Sequence, residues 1–147
     1  MNKKSRHQLA QQAAGYSFAI RRATLQLILQ EENHHSLSGL EVMDCIMHAK
    51  GKVVSAETIG NITGYGAHFV NNEAGKRLVS HGWVEKTSDG YKATQKGIDD
   101  FMDIVKRYVA FRQSFTAALT DEELETFVKL EKKQAEFAKE EAPFKMM

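Results

Sequence analysis

Apolar residues recur at helical spacing over most of this chain. From Lys4 to Gln30 there is no proline, and Leu9, Ala13, Tyr16, Ala19 or Ile20, Ala23 and Leu27 fall three or four positions apart. Side chains at that spacing share one face, which predicts a long helix starting near Ser5. Ile28 and Leu29 widen the stripe, so the C-terminal half is expected to be covered on more than one side. The run Glu31-Glu32-Asn33-His34-His35 ends it. Ser36 or Ser38 then caps a second helix, and Glu41, three residues after Ser38, suits a capping box. Leu40, Met43, Ile46 and Met47 are its apolar positions, and it stops at Lys50-Gly51.

The centre of the chain, Val54 to Gly82, changes rhythm. Ser55 stands where an N-cap belongs, with Glu57 in the first helical turn after it. Ile59 and Ile62 face inward, and Thr63-Gly64 makes a turn, glycine being suited to positive φ. A further helix is predicted from Ala67 to Ser80. Its inner face is Ala67, Val70, Ala74 and Leu78; its outer face is His68, Asn71, Asn72, Gly75, Lys76 and Val79. Gly82 fits just past its end. Trp83 to Thr87 then alternates apolar and polar as a half-buried strand does. Ser88-Asp89-Gly90 supplies Asp-Gly as a hairpin signal, and Tyr91 to Ala93 returns. Two helices, a tight turn and a hairpin make the pattern of a winged helix-turn-helix.

Thr94 caps the next helix, which is expected to run to about Leu119 through Ile98, Phe101, Met102, Val105, Tyr108, Val109 and Phe115. Thr120 caps the last one, with Glu123 completing a capping box. Leu124, Phe127, Val128, Leu130, Ala135 and Ala138 come next, and Pro143 ends regular structure. The fold class is therefore mainly α with a small β-hairpin wing. The flanking helices exceed what one small winged helix needs. Their simplest partner is a second copy of the chain.

Composition sharpens this picture. The chain has 147 residues, 42% hydrophobic content and one proline, which fits one globular domain. The single Cys45 cannot form an internal disulfide and points to a reducing, cytoplasmic setting. No signal peptide and no apolar run of membrane-spanning length is seen. Net charge is +1, but residues 1–30 carry five basic residues and no acid, whereas residues 121–147 carry eight acids against five lysines. No enzyme motif emerges, and no cofactor is expected. His34 and His35 beside Glu31 and Glu32 have metal-ligand chemistry, yet no spaced set of ligands completes a site, so no metal is expected.

The order of elements resembles the MarR family of bacterial transcriptional regulators over nearly the whole chain. The resemblance is carried by Leu37-Ser38-Gly39-Leu40-Glu41-Val42, by Arg77-Leu78-Val79-Ser80-His81-Gly82-Trp83-Val84-Glu85-Lys86, by Ala93-Thr94-Gln95-Lys96-Gly97 after the wing, and by Leu119-Thr120-Asp121-Glu122-Glu123-Leu124. It implies one domain, residues 1–147, in which 1–35 and 98–147 dimerise and 36–97 form the DNA-binding lobe. It further implies a homodimeric regulator, a repressor in this reading. Two recognition helices would then enter successive major grooves of a pseudo-palindromic double-stranded DNA operator. Relatives of this type often hold a small lipophilic or phenolic ligand between the dimerisation helices and that lobe.

On this reading His68, Asn71, Asn72 and Gly75 approach bases, Asn being suited to adenine and His to guanine. Ser55, Tyr65, Lys76, Arg77, Lys86 and Lys92 approach phosphates. Tyr16, Met43, Met47, Tyr108 and Phe111 are candidates to line a ligand pocket, with core packing as the plainer use of such residues. Arg21 or Arg22 is expected to pair with an acid of the last helix across the dimer, and Cys45 to be an inert buried thiol. The chain departs from the family pattern in its wing. No arginine lies between Arg77 and Arg107, which leaves Lys86 and Lys92 for the backbone. That departure, with near-neutral charge and Gly75 in the middle of the predicted recognition helix, favours an alternative: a winged-helix dimer that serves as a protein-interaction module with weak or no DNA binding.

Overall fold

A computed structural model describes residues 3–31 and 35–141. Glu32, Asn33 and His34 of the expected helix end, and Pro143, lie outside the described residues.

The chain begins with α1 (Arg6–Glu31), close to its predicted bounds. Its buried positions are Thr24 and Ile28, near its C-terminal end. The Thr24 hydroxyl is satisfied by the Ile20 carbonyl one turn back, at 2.7 Å. The predicted stripe through Leu9 and Tyr16 is instead exposed, because the N-terminal half of α1 extends past the rest of the chain. The C-terminal half packs against α6 (Gln95–Phe115).

Helix α2 (Leu37–His48) is capped by Ser36, whose hydroxyl accepts from Gly39 N at 3.1 Å. The capping box from Ser38 to Glu41 does not form, because Glu41 turns toward Tyr65 and Arg21. Leu40, Val42, Met43, Cys45 and Ile46 are all buried, so α2 is the central helix of the core.

Helix α3 (Ala56–Thr63) begins at Ser55, as its sequence requires, and ends at Gly64 with φ 80°. Next come α4 (Ala67–Phe69), a π-helical turn (Val70–Ala74) and α5 (Gly75–Ser80), which run on without a break. They occupy the span predicted as one helix. Val70, Ala74 and Leu78 are buried in it as expected. At its end Gly82 adopts φ 74°, Gly82 N donates to the Val79 carbonyl and Trp83 N to the Leu78 carbonyl, both at 2.9 Å. These two bonds satisfy carbonyls that the helix end would otherwise leave unpaired.

Strands β1 (Val84–Thr87) and β2 (Gly90–Ala93) pair antiparallel, with Thr87 opposite Gly90. The hairpin loop is thus Ser88-Asp89, and Gly90 belongs to the strand. Its requirement for glycine comes from a φ of 143° and from a neighbour: a Cβ there would lie 2.0 Å from the Val54 carbonyl oxygen. Val54 forms a bridge to Tyr91, exchanging two backbone bonds of 2.8 Å. That bridge fastens the hairpin to the segment that leads into α3.

Helix α6 starts at Thr94, whose hydroxyl accepts from Gly97 N at 3.0 Å and donates to the Gly82 carbonyl. The helix ends earlier than expected, at Phe115, and passes through a 3-10 turn (Thr116–Ala118). Helix α7 (Asp121–Glu141) opens with the predicted capping box: Thr120 N donates to Glu123 Oε1 at 3.0 Å and Glu123 N to Thr120 Oγ1 at 3.2 Å. None of its residues is buried. Phe127, Val128, Leu130 and Phe137 are exposed on it, as are Leu9, Tyr16 and Phe18 on α1.

Candidate nucleic-acid interface and ligand cleft

Helices α3 and α4 cross closely. A Cβ on Gly60 would stand 2.6 Å from Ala67 N and from the Gly66 carbonyl carbon, so glycine permits the crossing. The Ile-Gly-Asn-Ile run of α3 carried this signal. Ser55, expected on a phosphate, uses its hydroxyl to accept from Thr58 N at 3.1 Å and to donate to Thr58 Oγ1 at 2.9 Å. Tyr65, expected likewise, is half-buried. Its hydroxyl donates to Glu41 Oε2 at 2.7 Å, and its ring packs on Phe69 at 5.2 Å. Burial, then the Glu41 carboxylate, pushes its pKa up to about 12.

His68, Asn72, Lys76 and Arg77 are exposed along the composite helix after the turn. Asn72 Nδ2 donates to the His68 carbonyl at 2.8 Å and lies 3.0 Å from His68 Nδ1, so the two side chains form one polar unit. Asn71 and Gly75 do not share that face. Asn71 is half-buried, and its Oδ1 accepts from the Tyr91 hydroxyl at 2.8 Å. Gly75 is buried; a Cβ there would meet the Val70 carbonyl oxygen at 2.5 Å and the Tyr91 hydroxyl at 2.6 Å. Both residues seat the wing. A π turn adds one residue to the helical register and rotates the residues beyond it by about 100°. That rotation carries Gly75 inward from its predicted outer position.

Trp83, just before the wing, is fully buried. Its Nε1 donates to Asp100 at 3.0 Å, and His35 stacks on its ring at 4.2 Å. Lys96 also donates to Asp100, which with the Trp83 bond holds that carboxyl below its ordinary pKa despite some desolvation. His35 thus serves packing. Among the described residues no group of three His, Cys, Asp or Glu side chains is placed to hold a metal. On the wing, Lys92 stands opposite Glu85 in register, and Lys86 lies over the Tyr91 ring at 5.8 Å.

Away from this surface, a cleft of about 490 Å³ opens between α1, α2, the end of α3 and α6. Leu25, Ile28, Leu37, Leu40, Ile62, Phe101, Ile104 and Val105 form apolar walls, with Tyr108 and Cys45 among them. Arg21, Glu41, Asp44 and His48 bring charge to it. Of the five residues expected to line a pocket, the cleft brings in Tyr108. Met43 is fully buried in the core, Met47 and Phe111 pack against that core, and Tyr16 is 69% exposed on the distal half of α1. Arg21 pairs with Glu41 of its own chain at 3.4 Å. Burial and the adjacent Asp44 push the Cys45 thiol up to about 11.

This arrangement is a winged helix-turn-helix carried on long flanking helices. No family model matches the chain, and no curated protein sequence matches it. Solved structures do. A MarR family protein from Bacillus stearothermophilus superposes with a TM-score of 0.73 at 12% identity, over 92% of this chain and 96% of that one. The YusO protein from Bacillus subtilis gives 0.64 at 16% identity, over 90% and 99%. The organohalide-sensing transcriptional regulator RdhR-CbdbA1625 in its 2,4-dichlorophenol-bound form gives 0.60 at 19%, over 97% and 84%. The chain has a MarR-like winged-helix fold. No helix among the described residues is long and apolar enough to cross a membrane.

Proposed function

We propose that the protein is a DNA-binding transcriptional regulator, a repressor that acts as a homodimer on a pseudo-palindromic operator. The observation that carries this reading is the composite helix from Ala67 to Ser80. Its inner side is locked to the wing through Asn71, Gly75 and Tyr91, while His68, Asn72 and Lys76 stay exposed. A helix held from behind with polar side chains in front suits major-groove readout. His68 and Asn72 approach bases; Lys76 and Arg77 approach phosphates, joined by Lys86 and Lys92 of the wing. Ser55 and Tyr65 have committed hydroxyls and act by holding the helix-turn-helix in shape.

The second copy docks on the exposed apolar residues of α1 and α7, so residues 1–35 and much of 98–147 serve dimerisation and 36–97 form the reading lobe. The apolar cleft receives a small lipophilic effector, in keeping with the dichlorophenol named for one structural neighbour. Gly75 is explained by packing, which removes one reason to prefer a protein-interaction module over a DNA reader.

Enrichment of bound duplexes from a random DNA pool tests the function. A recovered palindrome with half-sites about one helical turn apart, ~34 Å, supports it; a pool that stays random overturns it.

A further inference from the structure

The cleft has an unequal balance of charge. Arg21 is its one lining side chain of fixed positive charge among the described residues, and Glu41 already engages it at 3.4 Å. Glu41 is doubly used, since it also accepts the Tyr65 hydroxyl. Asp44 is the second carboxylate. Its nearest ion-pair neighbour is His48 Nδ1 at 3.6 Å, beyond hydrogen-bond length, and that nitrogen lies instead 2.7 Å from the Asp44 backbone carbonyl. Partial burial raises the Asp44 carboxyl above its ordinary pKa even with His48 and Arg21 nearby. Two carboxylates and one guanidinium thus line otherwise apolar walls, with His48 beside Asp44.

An anion entering here meets an Arg21 already engaged by Glu41 and sits beside two carboxylates. A cation meets the opposite field and gives Asp44 a counter-charge beside apolar walls. The volume of about 490 Å³ lies within the range of small-molecule sites.

We propose that this cleft takes a lipophilic cation, an amine or quaternary ammonium on an aromatic or alkyl body, with its charge set against Asp44 and its body along the apolar walls. The proposal rests on reading the cleft as the effector site and narrows that effector to the class opposite in charge to a phenolate or carboxylate.

Isothermal titration calorimetry of the full chain, without DNA, tests it with three probes of one shape: 4-phenylbutylamine, 4-phenyl-1-butanol and 4-phenylbutyrate. The amine is expected to bind at least about tenfold more tightly than the alcohol, a difference of roughly 1.4 kcal/mol, and the carboxylate more weakly still. Asp44→Asn, at an exposed helix position, is expected to remove the preference for the amine and leave alcohol binding unchanged. Equal or tighter binding of the carboxylate, an amine no better than the alcohol, or no measurable binding of any probe overturns the proposal. So does an Asp44→Asn variant that keeps the preference. Because DNA is absent, these outcomes do not depend on operator binding. An amine that binds as expected but leaves a bound operator in place retains the cation site and removes its effector role.

Discussion

The Tyr91 hydroxyl donates to Asn71 Oδ1 at 2.8 Å, and that bond sets the hairpin on the composite helix Ala67–Ser80. Gly75 lies directly beneath it. The wing and the helix are therefore one packed unit, closed on the other side by the Val54–Tyr91 bridge.

Gly75→Ala separates packing from propensity. Helix propensity alone predicts that alanine stabilises a helix by about 1 kcal/mol. The methyl group would instead meet backbone and the Tyr91 ring, at 2.5 to 2.7 Å. We expect destabilisation of about 1–3 kcal/mol, as for overpacked cores, measured by urea denaturation. Tyr91→Phe removes one half-buried hydrogen bond and is expected to cost less, about 0.5–1.5 kcal/mol.

Tyr65 reports the link between α2 and the helix-turn-helix. Its folded pKa of about 12 is raised above the ordinary tyrosine value of 10.0 by burial first and by Glu41 second. The folded state keeps the proton where the unfolded chain releases it. This contribution to stability is full below pH 10 and is lost as pH rises through about 12. Ultraviolet titration of tyrosinate in Glu41→Gln is expected to show the Tyr65 transition moving down, while desolvation keeps it above the ordinary value.

Cys45 is expected to alkylate slowly. With the thiol at about 11, its thiolate fraction at pH 8 is about 0.1%. Iodoacetamide labelling read by mass spectrometry should run far slower in the folded chain than in urea. Labelling at equal rates would contradict the burial.

Association should depend on the bare helices. Leu130, 59% exposed on α7, and Phe18, 60% exposed on α1, stand largely open. Sedimentation equilibrium is expected to give twice the 16.6 kDa chain mass, and Leu130→Glu to shift the species toward monomer without loss of helical circular dichroism.

Local chemistry is legible in the sequence. Ser55, Thr94 and Thr120 cap the helices their positions predict, because a cap is decided within four residues. The winged helix-turn-helix itself can be read from Thr63-Gly64, Gly82 and the alternating Trp83–Thr87 run. Rotation and reach cannot. The π turn at Val70–Ala74 has no sequence signature of its own, so periodicity places Gly75 outward, while Asn71, at the border of the predicted inner face, is held by Tyr91, a partner distant in sequence. The fate of Tyr16, Met43 and Met47 depends on where α1 crosses the core, a non-local matter that periodicity along one helix does not carry. The cleft is hidden for the same reason: Arg21, Asp44 and Ile104 come from three separate helices. Gly60 and Gly90 have a signal in their type, but their need arises from backbone contacts with Gly66 and Val54.

The claim that this fold reads DNA is tested most directly by fluorescence anisotropy. A labelled duplex from upstream of the protein's own gene is titrated at several salt concentrations, with the native chain and with Lys76→Ala. The account predicts tighter binding than to a scrambled duplex and an affinity that falls steeply with salt. For Lys76→Ala the slope should be shallower by about 0.9, the change expected when a single phosphate is no longer neutralised. Equal affinity for both duplexes, or binding indifferent to salt, would contradict it.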